Sequence, residues 1–157
     1  MKEEVYQFSY KIFDSFQELD DDDRALLKTA QDAVSTSYAP YSEFNVGAAA
    51  KLANGEIVKG SNQENVSFPA GICAEGVVLA VAASLFPKVP IKTLAISYTT
   101  SKSLSDHPIA PCGICRQSLQ EFREKTGSPV RLLMGGLHGK VIVVDDASLL
   151  LPFSFKF

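Results

Sequence analysis

The three cysteines of this chain constrain its fold more than any other feature. Cys73 is followed two residues later by Glu75, whereas Cys112 and Cys115 frame a Cys-x-x-Cys motif preceded by a proline. Both groups fall at the starts of predicted helices, where free backbone N–H groups and the helix dipole favour thiolates. Three thiolates form an incomplete tetrahedral shell around zinc and leave the fourth position for water. We therefore expect two helix N-termini to meet at one metal ion, with Glu75 beside it as a proton carrier.

Other interpretations of the cysteines remain open at this point. A closed site of four thiolates fails because the chain has only three cysteines. His107 and His138 are each candidates for a fourth ligand in a closed site, although structural zinc sites more often come as two close pairs. Three unrelated core cysteines are the other alternative, and the spacing disfavours it. Spacing alone also leaves another metal open, although thiolates without a redox partner favour zinc.

Length and composition narrow the class of protein. A chain of 157 residues is expected to form a single domain over residues 1–157 and to bury a substantial core. The net charge of −3 and the absence of basic runs argue against a long nucleic-acid partner. No apolar run is long enough to span a membrane, so no membrane partner is expected. The odd cysteine count and the lack of a signal-peptide pattern predict a cytoplasmic protein with reduced thiols.

Hydrophobic periodicity predicts an α/β fold. Alternation over 6–12 indicates a strand, and the acidic run from Asp20 to Asp23 indicates the start of a helix that ends near Ser37. Asn54-Gly55 predicts a type I′ hairpin turn. We expect a three-layer α/β/α sandwich with a mixed five-stranded sheet, and we expect the N-terminal extension, residues 1–22, to add a strand to the domain. The remaining predicted helices span 73–85 and 112–125, and the remaining strands span 44–48, 56–60, 93–98, 130–134 and 140–144.

Short motifs beyond the cysteines carry a resemblance to a known family. Together with Cys-Ala-Glu and Pro-Cys-x-x-Cys, they resemble the small zinc-dependent cytidine deaminases that act on free nucleosides. The resemblance runs from about Tyr38 to Phe155. The matching segments are Tyr41 to Ala49 (Tyr-Ser-x-Phe-x-Val-Gly-Ala-Ala), Asn62 to Asn65 (Asn-x-Glu-Asn), Phe68-Pro69, Cys115 to Gln117 (Cys-Arg-Gln) and Leu150 to Phe155 (Leu-Leu-Pro-x-x-Phe).

The resemblance implies a role for each matching residue. Glu75 would move a proton from the attacking water to N3 of cytosine and would then protonate the leaving amino group. The product would be uridine or deoxyuridine, in pyrimidine salvage. Zinc would be held by Cys73, Cys112 and Cys115, one ion per subunit of a homotetramer. The substrate-binding residues would be Phe44 against the pyrimidine, Asn62 and Glu64 on the ribose, Ala74, and Phe68 and Phe155 across a subunit interface.

The residues alone allow plainer interpretations of these positions. Phe44 is also typical of strand core, and Asn62 and Glu64 are also typical of a solvated loop. The family usually has arginine where this chain has Gly76, and that arginine would offset the charge of the thiolates. Arg116 is a candidate for this role. The alternatives are a blasticidin-type or other cytosine-analogue deaminase, a nucleic-acid base editor, and a zinc-binding protein that has lost activity.

Overall fold

The structure is a computed structural model, and it describes residues 1–156. Helices are interspersed with single strands and with two strand pairs along the chain. The strands are β1 Lys11–Phe13, β2 Phe44–Leu52, β3 Ile57–Ser61, β4 Ile91–Thr100, β5 Arg131–Gly135 and β6 Val141–Val144, and the helices are α1 Asp21–Ala33, α2 Ala74–Leu85 and α3 Gly113–Thr126.

The strands of the described residues form one mixed sheet in the order β1-β6-β5-β4-β2-β3. Only the β4–β5 pair is parallel within this part of the chain, and the other neighbours are antiparallel. The expectation of a mixed sheet is confirmed, but the count of five strands is wrong, because the sheet has six. The sixth strand is β1, which pairs with β6 at one edge.

Two hydrophobic layers lie on opposite faces of the sheet, which confirms the predicted α/β/α sandwich. On one face α1 packs through a buried stripe that includes Leu26, Leu27 and Ala30. On the other face α2 and α3 share a larger core with β2 and β4. Gly47 allows α1 to approach β2 closely, because a Cβ there would lie 2.1 Å from the carbonyl oxygen of Ala30.

The predicted end of the first helix needs a small correction. The α-helix ends at Ala33, and the chain continues as a 3-10 turn over Val34–Thr36. Its start is confirmed, since Asp20 is the N-cap and accepts a hydrogen bond of 2.8 Å from the backbone N–H of Asp23.

The turn between β2 and β3 is not the predicted type I′ turn. That turn requires positive φ at both central residues, whereas Gly55 has φ of 91° and Asn54 does not have positive φ. Instead, the Asn54 side chain accepts a hydrogen bond from the N–H of Glu56, which fixes a longer loop.

The N-terminal strand is shorter than its alternating pattern predicts. Residues 6–12 alternate, but only Lys11–Phe13 forms a strand. Its partner β6 has only four residues, and Lys11 lies opposite Val143, one residue before the end of β6. Residues before Lys11 therefore have almost no strand left to pair with. Before β1 the chain is held by Tyr6, whose hydroxyl donates to the carbonyl of Leu149 at 2.6 Å.

Among residues 1–156, the helices are all too short or too polar to cross a lipid bilayer.

Candidate active site

Two helix starts bring the three cysteines together, as the sequence predicts. Cys73 is the N-cap of α2, Cys112 is the N-cap of α3, and Cys115 lies in the first turn of α3. The sulfur of Cys112 lies 3.8 Å from that of Cys73 and 3.6 Å from that of Cys115. All three sulfurs lie within 4.8 Å of one another.

These separations fit zinc. With Zn–S bonds of about 2.3 Å, a tetrahedral ion holds its sulfur ligands about 3.8 Å apart. Within residues 1–156, the cysteines are the only side chains of the metal-binding group, so neither histidine supplies a fourth ligand. His107 instead contacts the Tyr98 hydroxyl and the Asp106 carboxylate. The donor set therefore leaves one tetrahedral position for water.

The thiols differ in acidity. Hydrogen bonds from the Cys115 and Cys112 thiols lower the pKa of Cys73 to about 6, against the opposing effect of partial burial. The pKa of Cys115 is raised, first by its hydrogen bond to Cys73 and then by its own burial. The site therefore favours a thiolate at Cys73 at neutral pH even before a metal binds.

Glu75 lies in the first turn of α2 and is only 5% exposed. Burial raises the pKa of its carboxyl, and negative charge at Cys73 raises it further. A carboxyl whose pKa moves up toward neutrality is suited to give and take a proton in turn. Glu75 is thus a buried acid–base group next to the thiols.

An open cleft of about 550 Å³ adjoins Cys73. Asn62, Glu64 and Phe68 line it, so the structure brings three of the predicted substrate-binding residues beside a predicted metal ligand. Phe68 is 76% exposed at the cleft and contacts Tyr41 edge-on, with ring centroids 5.9 Å apart.

Both predicted sugar-binding side chains are held by the protein. Asn62 accepts hydrogen bonds from Ser37 and the N–H of Val46, and it donates to the carbonyl of Phe44 at 2.9 Å. One of its amide hydrogens is left for a ligand. The Glu64 carboxylate accepts from the backbone N–H groups of residues 41 and 42 and from the Ser42 hydroxyl. These contacts fix where both side chains point.

Phe44, Ala74 and Phe155 are not among the residues that line this cleft, although the backbone of Phe44 is hydrogen-bonded to Ser42 and Asn62, which do line it. Phe44 opens β2 and stacks on Tyr98. Ala74 is fully buried at the first residue of α2. The backbone of Phe155 exchanges two hydrogen bonds with the side chain of Gln117 on α3. The predicted role of Phe68 and Phe155 across a subunit interface remains a prediction.

Arg116 makes its hydrogen bonds to backbone carbonyls. Its Nε donates to the carbonyl of Pro111 at 2.8 Å, and Nη1 donates to that of Leu150 at 3.1 Å. These bonds tie the segment before Cys112 to the C-terminal part of the chain. Compensation of thiolate charge by Arg116 remains a prediction.

Gly76 occupies the position where the predicted family has arginine. A Cβ at Gly76 would lie 3.1 Å from Cγ1 of Ile72, whose side chain is partly exposed. The neighbouring atoms belong to a side chain and not to backbone, so a larger residue fits after a shift of a few tenths of an ångström in Ile72.

The sequence did not predict the contacts that Ser42, Tyr98 and His107 make. Ser42 lies within a motif that implies no role for its hydroxyl, and His107, a candidate metal ligand by sequence, contacts Tyr98 instead. Tyr98 and His107 carry no local motif, and their contact joins a strand to a loop nine residues later. Tyr98 lies on the same sheet face as the buried Ile96, and this alternation is the only sequence signal that indicates its burial.

Comparisons with known proteins agree with this geometry. The family model for the cytidine and deoxycytidylate deaminase zinc-binding region matches residues 20–127. A cytidine deaminase of Halalkalibacterium halodurans is 33% identical over 134 residues, covering 85% of this chain and 94% of that protein. A cytidine deaminase of Mycobacterium tuberculosis is 38% identical over 96 residues, covering 61% of this chain and 68% of that protein.

Solved structures give the same result. The crystal structure of a cytidine deaminase from Burkholderia pseudomallei aligns with a TM-score of 0.71 at 34% identity, covering 83% of this chain and 97% of that chain. That of the Mycobacterium tuberculosis enzyme aligns with a TM-score of 0.66 at 30% identity, covering 88% and 100%.

Proposed function

The chain belongs to the cytidine and deoxycytidylate deaminase family, and we propose that it hydrolyses cytidine and deoxycytidine to uridine and deoxyuridine with release of ammonia. The single observation that carries this proposal is the convergence of three cysteine sulfurs beside the buried carboxyl of Glu75. The resemblance to the family also leads us to propose that the reaction serves pyrimidine salvage, that the protein is cytoplasmic and that it forms a homotetramer.

Cys73, Cys112 and Cys115 would hold one zinc ion. When bound, zinc supplies a Lewis acid that lowers the pKa of water at the open position. The three cysteines place the metal next to the cleft, and they leave its fourth coordination position without a protein ligand. The helix N-termini at Cys73 and Cys112 stabilise the thiolates through backbone N–H groups.

Glu75 carries the protons of the reaction. Its carboxylate takes a proton from the attacking water and delivers it to N3 of cytosine, which makes C4 more electrophilic. The carboxylate then takes up the second proton of that water and passes it to the 4-amino group, which leaves as ammonia. One water is consumed, and the carbonyl oxygen at C4 of uridine derives from it. The raised pKa of Glu75 favours both halves of this transfer.

The cleft is suited to an uncharged nucleoside. Among the described residues that line it, Glu64 is the one carboxylate, and there is no lysine or arginine. A 5′-phosphate would therefore meet a negative charge and lack the cationic partner that phosphate sites usually provide. Asn62 and Glu64 instead suit sugar hydroxyls, with Glu64 as a strong acceptor. This supports nucleosides over nucleotides, and over the antibiotic blasticidin.

The direct test is a spectrophotometric assay of zinc-loaded protein with cytidine, deoxycytidine, deoxycytidine monophosphate and blasticidin as separate substrates. We expect turnover of both nucleosides and little of the other two. The variant Glu75→Gln should lower kcat by a factor of about 10² to 10⁴, the usual contribution of general acid–base catalysis, without loss of zinc. Glu56→Gln, at the exposed β2–β3 loop, is the matched control. Stoichiometric zinc with no nucleoside turnover would favour the inactive binding protein instead.

A further inference from the structure

A fully buried tyrosine lies directly behind Phe44. Tyr98 on β4 is 0% exposed, whereas Phe44 on the neighbouring strand β2 is partly exposed. Their rings are stacked, with centroids 4.9 Å apart and planes inclined by 17°. Both residues lie on the sheet face that α2 and α3 cover, because Tyr98 alternates with Ile96 and Phe44 with Val46. Tyr98 therefore supports one face of the Phe44 ring.

The hydroxyl of Tyr98 is hydrogen-bonded to a histidine in the loop that follows β4. It lies 3.0 Å from Nδ1 and 3.2 Å from Nε2 of His107, whose ring also packs edge-on against the tyrosine. Within residues 1–156, His107 is the hydrogen-bond partner that the structure gives this hydroxyl. The His107 side chain is 62% exposed and lies 3.4 Å from Oδ1 of Asp106. A surface histidine thus satisfies a buried hydroxyl, which would otherwise be costly to leave unpaired.

The loop that carries His107 has a second, independent attachment. The carbonyl of Ser105 accepts a hydrogen bond of 2.7 Å from the N–H of Leu137. A Cβ at Gly136 would lie 2.0 Å from the same carbonyl oxygen, so the two backbones are in direct contact there. Loss of the His107 ring therefore removes the partner of Tyr98 without releasing the loop.

We propose that Tyr98 and His107 are positioning residues for the nucleobase: their hydrogen bond fixes the Tyr98 ring, and that ring fixes Phe44, whose other face packs against the pyrimidine. The inference rests on the proposed function, because it takes Phe44 as the residue that contacts the base. Among residues 1–156, neither Tyr98 nor His107 lines the cleft or belongs to the metal-binding group. Their effect is on the pose of Phe44, so substrate affinity should change more than the chemical step.

The test is a double-mutant cycle with His107→Ala, Tyr98→Phe and the combined variant, all loaded with zinc. We measure kcat and KM for cytidine, the Kd of uridine by calorimetry, zinc content and Tm. His107→Ala should raise KM and the uridine Kd about fivefold, with kcat within about twofold of the wild type. Tyr98→Phe and the double variant should match it, because all three lack the same hydrogen bond.

Two further variants separate positioning from general damage. His107→Gln keeps a side-chain amide that can bond the hydroxyl, and it should restore most of the affinity. His138→Ala removes the chain's other histidine, exposed in the turn between β5 and β6, and should leave KM and Kd unchanged. Tm alone does not discriminate, since the orphaned hydroxyl in His107→Ala lowers stability whatever its role.

Several outcomes overturn the inference. These are an unchanged uridine Kd in both single variants, additive effects in the double variant, or a fall in kcat with KM unchanged. Wild-type protein that binds uridine but does not turn over cytidine refutes the proposed function alone, and the Kd comparison still decides the inference. Zinc-loaded wild type that binds no nucleoside refutes both.

Discussion

The hydroxyl of Ser42 donates a hydrogen bond to the carboxylate of Glu64, and the same hydroxyl oxygen accepts one from the backbone N–H of Phe44 at 3.1 Å. One small side chain therefore links a residue proposed for the sugar to a residue proposed for the base. This bond is also the largest cause of a lowered pKa at Glu64, and the N–H groups of residues 41 and 42 add to it.

Removal of this hydroxyl is expected to change both the acidity of Glu64 and nucleoside binding. A depressed pKa means that the fold favours ionised Glu64, an effect present above the ordinary carboxyl pKa and lost as pH falls through the depressed value. In Ser42→Ala the pKa should rise toward its ordinary value, so Glu64 protonates at a higher pH than in the wild type. At neutral pH the less fixed carboxylate should raise KM for cytidine about tenfold.

A carbon-13 titration of the glutamate carboxyl groups measures the shift, with Glu64 assigned from the spectrum of Glu64→Gln. Ser84→Ala, at an exposed position near the end of α2, is the matched control. An identical titration midpoint for Glu64 in the wild type and Ser42→Ala would contradict this account.

Metal removal should be visible at the thiols. Because all three cysteines of the chain are in the metal-binding group, zinc loading should protect every thiol from alkylation. Chelation should make Cys73 and Cys112 reactive first, because Cys115 is buried by the fold itself. In metal-free protein Cys73 should react as a thiolate with a midpoint near pH 6, since its pKa is lowered to about 6. Cys115 should react only at higher pH, because its pKa is raised.

Peptide mapping after iodoacetamide treatment at several pH values gives the order of reaction, and circular dichroism verifies that the metal-free protein stays folded. Two results would count against the site as described. One is earlier modification of Cys115 than of Cys73, and the other is equal alkylation with and without zinc.

The layer order, the two helix starts and the metal ligands could be predicted from sequence because each depends on local signals. Capping residues, hydrophobic period and ligand spacing act within a few residues, and Cys73 and Cys112 fall at helix starts for that reason. The extent of β1 could not be predicted in this way. It depends on the length of β6, about 130 residues away in the chain, and not on its own alternation.

The same distinction holds within the site. The positions of Asn62 and Glu64 in one motif gave no indication that their side chains are already engaged by Ser37, Ser42 and the backbone of β2. Likewise the Asn54-Gly55 pair predicts a hairpin correctly, but the turn type follows from the Asn54 side chain bonding the N–H of Glu56. Contacts that depend on side-chain direction need the folded structure.

An ion pair on the other face of the sheet should contribute more stability than the surface pairs do. Arg131 on β5 donates two hydrogen bonds of 2.6 Å to the carboxylate of Asp23 on α1, and these side chains are only 26% and 11% exposed. Removal of one partner leaves the other charge partly buried, so Asp23→Asn should lower the free energy of unfolding by about 2 kcal/mol. For a chain of this size that corresponds to a fall in Tm of about 4 to 8 °C.

Asp22→Asn is the matched control for this prediction. Asp22 lies in the same first turn of α1 and pairs with Lys51, but its side chain is 81% exposed. Both variants lose one negative charge near the helix N-terminus, so the difference between them isolates the buried pair. Urea denaturation should give a much smaller loss for Asp22→Asn than for Asp23→Asn, because solvent screens an exposed pair. An equal decrease in the free energy of unfolding in the two variants would show that the pair with Arg131 contributes no more stability than an exposed ion pair.

The residue at position 76 is expected to affect how tightly the site holds zinc and how fast the enzyme turns over. Three thiolates and one Zn²⁺ carry a net charge of −1, and no charged side chain stands at position 76 to offset it. Gly76→Arg should slow zinc release to a chelator, because a cation beside the thiolates offsets the net negative charge and keeps the thiolates ionised against competing protons. It should also change kcat/KM, because the charge beside the ligands changes the electrostatic environment of the metal site. The new Cβ would meet only side-chain atoms of Ile72, which is partly exposed and can shift, so the variant should fold.

Gly76→Ala separates charge from shape. It adds the same Cβ and the same contact with Ile72, and the gain in helix propensity of about 1 kcal/mol should appear as stability and not as zinc retention. We therefore expect alanine to release zinc at the wild-type rate and arginine to release it more slowly. If arginine and alanine release zinc equally fast and have the same kcat/KM, a side-chain charge at this position has no influence on the metal, and the thiolate charge must be offset elsewhere, by Arg116 or by the backbone N–H groups of α2 and α3.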